Sequence, residues 1–184
     1  MTRYFEEDLV EFRRTGGSSI GAGRSVFLCY AREDRSWVDK FTVHMRPYVR
    51  QVRLTIWDDA QVGAGEDWHA KIQRKIRSSS AVVLFISKHF LASNYIAASE
   101  MPLFLLRRQQ RTKLTIFPMH VSPSVWDDVE YRYPNPETGP HVLKLRDIQM
   151  VNSEESTLAE LSESEQDRVM ISVAKKLNGA LSDA

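Results

Sequence analysis

Residues 81–110 of the chain read AVVLFISKHFLASNYIAASEMPLFLLRRQQ, and the prediction of the fold starts from them. The segment opens with the almost continuously apolar run AVVLFIS, which the polar run RSSS precedes. Such a run is typical of a strand that is buried on both faces, as in a parallel sheet covered by helices. Because a helical pattern follows, the segment predicts one strand–helix unit of an α/β sheet.

A single carboxylate, Glu100, lies near the start of this helical pattern, among apolar neighbours that include Tyr95, Ile96 and Met101. In open α/β sheets, ligands bind beyond the carboxyl ends of the strands, and Glu100 follows such an end. Glu100 is therefore a candidate for chemistry. The alternative is a solvated glutamate that the positive end of the helix dipole stabilises. Position alone favours this alternative, because structural charges are commoner than catalytic ones.

Strand and helix patterns alternate on both sides of this unit. The predicted strands are residues 25–30, 52–57, 81–87 and 114–121, with a short fifth strand within residues 141–151. The predicted helices are residues 36–50, a helix marked by the spacing of Trp68, Ile72 and Ile76, the segment after the third strand, and a last helix from about Ser162. This order predicts a doubly wound parallel sheet with helices on both faces.

Length and composition limit the function classes. The 184 residues suffice for one domain with a full core, and residues 16–23 are rich in Gly and Ser, as linkers are. We therefore expect an N-terminal extension and linker over residues 1–24 and one domain over residues 25–184. The formal net charge of +1 argues against a dedicated nucleic-acid binder. No run approaches about 18 uninterrupted apolar residues, so no membrane span is expected.

The only cysteine, Cys29, excludes a disulfide framework within the chain and predicts a reducing, cytoplasmic setting. The five histidines show no metal-ligand spacing, so no metal site is expected.

A basic cluster follows the helix after the third strand: Arg107, Arg108, Arg111 and Lys113. Such a cluster can bind phosphate. The favoured interpretation is a solvated helix end whose cations complement the C-terminal dipole.

Three motifs in order carry a resemblance to a known family. Residues 26–41, VFLCYAREDRSWVDKF, resemble the first box of the Toll/interleukin-1 receptor (TIR) domain. Residues 57–72, WDDAQVGAGEDWHAKI, resemble the second strand and loop of bacterial TIR domains, and residues 86–102, ISKHFLASNYIAASEMP, resemble the segment with the family's catalytic glutamate. The resemblance covers about residues 24–181, so residues 25–184 are identified as a TIR domain of bacterial type. It implies a flavodoxin-like, five-stranded parallel sheet.

The resemblance implies one of two functions, and the motifs alone do not distinguish them. Some TIR domains are scaffolds that signal by TIR–TIR assembly, and others cleave NAD+ at the nicotinamide–ribose bond. The enzymatic members need the glutamate that aligns with Glu100, which favours a catalytic Glu100. We therefore expect an NAD+ glycohydrolase or cyclase, with NAD+ as substrate and no cofactor, in bacterial anti-phage signalling. Self-association would activate it, with a sensor protein or domain as a further partner. The alternative is a non-catalytic scaffold.

The resemblance also implies the substrate-binding residues. Tyr30, Ala31 and Arg32 follow the first strand, where family members contact the nucleotide. Arg32 can pair with the diphosphate, and its alternative is an exposed arginine in a turn. Trp68 matches the position near which enzymatic members carry an aromatic beside the nicotinamide, and its alternative is a core-facing helix residue.

Two strand ends and one loop complete the expected site. Asp58 and Asp59 end the second strand, where they either line the ribose pocket or cap the loop. Ser87 ends the third strand, where it can reach a ribose or a phosphate. Asp59, Gly63 and Gly65 belong to the loop that in many members packs against a neighbouring molecule, with the glycines as hinges.

One position departs from the family pattern. Many enzymatic members carry tryptophan four residues before the glutamate, where this chain has Ile96. We expect Tyr95, one residue earlier, to replace it. Acid-rich strand ends are also typical of phosphoryl-accepting receiver domains, but those domains end the third strand with aspartate, and this chain has Ser87.

Overall fold

The computed structural model describes residues 24–52, 54–58, 67–109, 114–133, 139–153 and 156–182. Its central sheet has four parallel strands in the order β2–β1–β3–β4. These strands are β1 Ser25–Cys29, β2 Thr55–Trp57, β3 Ala81–Ile86 and β4 Thr115–His120. The predicted first four strands and the doubly wound α/β class are confirmed. Residues 1–23 of the predicted extension over residues 1–24 lie outside the described residues, so the domain division stays a prediction.

The helices cover both faces of this sheet. Among the described residues they are α1 Arg35–Val52, α2 Trp68–Ser78, α3 Lys88–Ala92, α4 Met101–Gln109 and α5 Glu163–Ser182. Successive side chains of a strand point to opposite faces. In β3, Val82 and Leu84 pack in the layer with α2 and α4, whereas Val83 and Phe85 pack in the layer with α1 and α5. All six residues of β3 are buried, which explains the uninterrupted apolar run that predicted this strand.

The predicted fifth parallel strand is wrong for residues 141–144. His141–Lys144 forms β6, which pairs antiparallel with β5 (Glu130–Tyr133) in a separate two-stranded sheet. Beside β4 runs an irregular segment, in which the Val151 amide donates to the Pro118 carbonyl at 2.9 Å. The Asn152 side chain pairs with both backbone groups of His120, at 2.9 and 3.0 Å.

Pro118 gives the physical reason for this arrangement. The N–H and C=O groups of one strand residue point to the same side, and the Pro118 carbonyl faces Val151. Proline has no N–H to donate toward that side, so a regular ladder cannot continue there. The described sheet therefore has four strands, with a side-chain amide in place of part of a fifth.

The predicted basic cluster is not a solvated helix end at Arg107. The Arg107 side chain is buried, and its Nη1 donates to the carbonyls of Ile76 and Ser79 at the C-terminus of α2. Burial lowers the pKa of this guanidinium. Arg108 is exposed, and Arg111 and Lys113 lie outside the described residues. Arg107 thus caps a neighbouring helix.

No helix in the described part of the chain is both long enough and apolar enough to cross a membrane.

Candidate active site

A pocket of about 370 Å³ opens at the carboxyl end of β1. Parallel sheets place ligand sites at this edge because the loops that follow the strands meet there. The pocket wall is formed by the turn after β1, the start of α2, the region of α3 and a π-helical turn over Ile96–Glu100. The lining residues are Leu28, Tyr30, Ala31, Arg32, Glu33, Trp68, His89, Ala92, Ser93, Tyr95, Ile96 and Glu100.

The structure brings together most of the residues that the sequence singled out for the site. The predicted residues on the pocket wall are Tyr30, Ala31, Arg32, Trp68, Tyr95 and Glu100. They come from three separate parts of the chain. Their roles toward a substrate remain predictions, whereas their shared location is observed.

Glu100 is buried in the pocket wall, with 5% of its surface exposed. The Cys29 thiol donates to Glu100 Oε2 at 3.2 Å. The alternative of a solvated glutamate at a helix start is therefore wrong, because Glu100 is shielded from water and lies within a π-helical turn. Burying a carboxylate is costly unless hydrogen-bond donors face it. Buried ionisable groups in a cleft are therefore candidates for functional residues.

The π-helical turn explains how Tyr95 and Glu100 reach the same pocket. Across this turn the Met101 amide donates to the Ile96 carbonyl, five residues back. In an α-helix, with about 3.6 residues per turn, residues five apart point to different sides. In the wider i→i+5 turn, residues five apart point to nearly the same side of the helix. Such turns are frequent at functional sites. Tyr95 thereby occupies the wall on which Glu100 lies.

Trp68 and Tyr95 form an aromatic pair on this wall. Their ring centroids are 4.3 Å apart, with an interplanar angle of 40°. Trp68 is half-buried and also packs on the core layer of α2 and α4. Both interpretations of Trp68 therefore apply, since one part of the side chain packs on the core and another lines the pocket.

Asp58 is not on the pocket wall. Its carboxylate is mostly buried and lies 3.4 Å from Arg35 Nη1, in a groove between α1 and the edge strand β2. The same Arg35 Nη1 donates to the Tyr30 hydroxyl at 2.9 Å. Asp58 is thus linked to the pocket through Arg35 and Tyr30, so it supports the pocket and does not line it as predicted. The predicted loop residues Asp59, Gly63 and Gly65 lie outside the described residues.

Ser87 is also absent from the pocket wall, because it is fully buried. Its hydroxyl donates to Asp34 Oδ2 at 2.5 Å and accepts the amides of His89 and Phe90 at 3.1 and 3.0 Å. Ser87 is therefore the N-cap of α3 and ties the turn after β1 to the end of β3. Burial raises the pKa of Asp34, and the hydrogen bond from Ser87 opposes that rise. The expected contact of Ser87 with substrate is corrected to a structural role.

Replacing Ser87 with alanine is expected to lower the free energy of unfolding by about 1–3 kcal/mol. The change removes a helix cap and takes one hydrogen-bond donor away from the buried Asp34 carboxyl. Urea denaturation would measure the loss. The matched control is Ser78→Ala, because Ser78 is exposed and its hydroxyl bonds only within α2. A loss in Ser87→Ala no larger than in the control would contradict the role given to Ser87.

Several residues near the site were missed by the sequence reasoning. Cys29 was considered only for disulfides, although alternation along β1 puts it on the same face as Phe27, toward the layer that holds Glu100. His69 and Gln73 were missed although they stand four apart on one face of α2. No sequence pattern indicates the role of Asp34, because its partner Ser87 is 53 residues away.

Within the described residues no group of three or more His, Cys, Asp and Glu side chains is arranged to hold a metal ion.

A parallel sheet covered by helices, with a pocket at the carboxyl end of its strands, defines a doubly wound α/β domain, and the buried carboxylate and aromatic pair lie where such domains place ligand sites. The family model described as "TIR domain" matches residues 26–163, and the chain belongs to the TIR domain family. The chain is 34% identical over 77 residues to the uncharacterized protein y4lF of Sinorhizobium fredii. That match covers 42% of this chain and 24% of the relative.

Proposed function

We propose that this chain cleaves the bond between nicotinamide and ribose in NAD+, giving nicotinamide and ADP-ribose or a cyclic ADP-ribose isomer. The observation that carries the proposal is the buried Glu100 carboxylate, which shares a pocket wall with the Trp68–Tyr95 pair. Membership of the TIR family supports it, because that family includes NADases.

The main requirement of this reaction is one negatively charged side chain beside the ribose. The C1′–N bond breaks, and its electron pair leaves with the pyridinium nitrogen, so nicotinamide departs neutral and needs no proton. This distinguishes the reaction from ordinary glycoside hydrolysis, in which two carboxylates flank the bond. In hydrolysis a water oxygen then bonds to C1′ and its proton passes to solvent, and in cyclisation an adenine nitrogen bonds to C1′ instead. Glu100 stabilises the positive charge that develops on the ribose, and its burial strengthens that interaction.

The remaining wall residues suit the other parts of the dinucleotide. The faces of Trp68 and Tyr95 offer a surface for a planar, cationic pyridinium ring. Arg32 is exposed at the pocket and supplies a positive charge for the diphosphate. Tyr30 and Ala31 approach the nucleotide from the end of β1.

We place this activity in the cytoplasm, in bacterial anti-phage signalling, where loss of NAD+ or a cyclic product is the signal. Assembly of several copies activates it, and a sensor protein or domain starts that assembly. The loop with Asp59, Gly63 and Gly65 is proposed as part of the contact between copies.

A second candidate is a TIR scaffold that acts by assembly alone. One observation favours it: Ile96, and not tryptophan, stands four residues before Glu100. The scaffold function requires neither the pocket nor a charged Glu100.

The test is nicotinamide release from NAD+ by the purified protein, followed over a wide range of protein concentration. Release per molecule that rises with concentration would support an assembly-gated NADase. If nicotinamide does not appear even under crowding that forces assembly, the scaffold is favoured.

A further inference from the structure

A chain of hydrogen bonds runs from the pocket wall along one face of α2. The Tyr95 hydroxyl lies 3.0 Å from His69 Nδ1. His69 Nε2 lies 2.7 Å from the amide nitrogen of Gln73, and Arg77 Nη2 donates to Gln73 Oε1 at 3.3 Å. His69, Gln73 and Arg77 are four residues apart in sequence, so they share one face of the helix.

The direction of each hydrogen bond follows from Arg77. A guanidinium only donates, so the atom of Gln73 that faces Arg77 is the carbonyl oxygen. The amide NH₂ of Gln73 therefore points to His69, and His69 Nε2 must accept. The proton of the neutral imidazole is then on Nδ1, which donates to the Tyr95 hydroxyl oxygen.

These hydrogen bonds constrain the orientation of the Tyr95 ring on the pocket wall. Tyr95 is only half-buried and stands at the edge of the π-helical turn. It packs against Trp68 on one side, and His69 meets it edge-on, with ring centroids 5.8 Å apart at 81°. Gln73 is buried, so the hydrogen bond that holds His69 is protected from water.

We propose that His69, supported by Gln73, is a positioning residue that holds Tyr95 against Trp68 and thereby fixes the aromatic wall that selects a planar, cationic ring. The identity of that ring as the pyridinium of NAD+ rests on the proposed function. A cation gains more from the face of Trp68 and Tyr95 than a neutral ring does, so the wall discriminates NAD+ from NADH.

The kinetic test compares variants that remove or restore the donor to Tyr95. His69→Leu is expected to raise KM for NAD+ about tenfold with kcat within about threefold, because a lost hydrogen bond of this kind corresponds to about a factor of ten. His69→Asn, whose amide nitrogen can take the place of Nδ1, is expected to recover most of the affinity. Tyr95→Phe should match His69→Leu, and the double variant should be no worse than either, because both remove the same interaction.

The control is Arg74→Leu, at an exposed position of the same helix. Additive effects of His69→Leu and Tyr95→Phe, or equal effects of His69→Leu and the control, would overturn the proposal.

A second measurement keeps this inference separate from the proposed function. In protein labelled with ¹⁵N at histidine, the nitrogen shifts report whether the His69 proton is on Nδ1 or on Nε2. The proposal requires Nδ1–H, with loss of the near-ultraviolet circular dichroism of the Trp68–Tyr95 pair in His69→Leu. An Nε2–H imidazole would overturn it whether or not the protein cleaves NAD+. Absence of cleavage alongside an Nδ1–H imidazole would reject only the proposed function.

Discussion

Glu100→Gln is expected to reduce nicotinamide release from NAD+ by about 10²–10⁴-fold, mainly in kcat. Glutamine keeps the shape of the side chain but removes the charge. A neutral amide cannot balance the positive charge that forms on the ribose as nicotinamide leaves. The Glu100 side chain itself is shielded from water, so solvent does not readily replace the missing charge.

The variant is expected to fold, because the Cys29 thiol can donate to the amide oxygen as it does to Glu100 Oε2. Removing a buried charge also removes the cost of its desolvation, so the melting temperature should not fall. Thermal denaturation of the variant would verify that the loss of activity is chemical and not a loss of fold.

The matched control is Glu163→Gln, which makes the same change at an exposed position in the first turn of α5. Nicotinamide release by the control should equal that of the wild type. Equal release by Glu100→Gln and the wild type would remove Glu100 from the mechanism. If the wild type itself releases no nicotinamide under crowding, the result favours the scaffold function and a structural role for Glu100.

The sheet could be predicted where burial dominates the sequence pattern. β3 is buried on both faces and reads as an unbroken apolar run, whereas β1 and β4 are each buried over their last four residues. The segment that pairs with the outer edge of β4 could not be predicted, because it is distant in sequence. Pro118 is visible in the sequence as an obstacle to pairing, but only the fold shows that Asn152 meets His120 there.

The site could be predicted where it follows from strand ends and failed where it depends on pairing between side chains. Glu100 lines the pocket, as its place after a strand end suggested, and Tyr30 and Trp68 line it too, as the resemblance to the TIR family implied. Ser87 also ends a strand, but its hydroxyl turns inward to Asp34. A single-residue π-helical expansion leaves no periodicity signal in so short a segment, so the shared wall of Tyr95 and Glu100 was not derivable from spacing alone.

The second large effect concerns stability and the basic cluster. Arg107→Ala is expected to lower the free energy of unfolding by about 2–4 kcal/mol. The change withdraws two hydrogen bonds from buried carbonyls at the end of α2 and leaves space where the side-chain stem had packed. Helix C-termini leave four carbonyls without partners in the helix, and a buried end needs donors from elsewhere. Equilibrium urea denaturation, with midpoint and slope both fitted, would measure the loss.

Arg108→Ala is the matched control, because Arg108 carries the same charge one residue later but is exposed. Its effect should stay within about 0.5 kcal/mol, as is usual for surface substitutions. Similar losses in both variants would mean that the cost lies in net charge or helix propensity and not in the cap on α2. A large loss in Arg107→Ala alone would instead mean that this cation is committed to the Ile76 and Ser79 carbonyls. A guanidinium committed in that way is buried at the end of α2, so Arg107 would then not present it at the surface to a phosphate bound by the basic cluster.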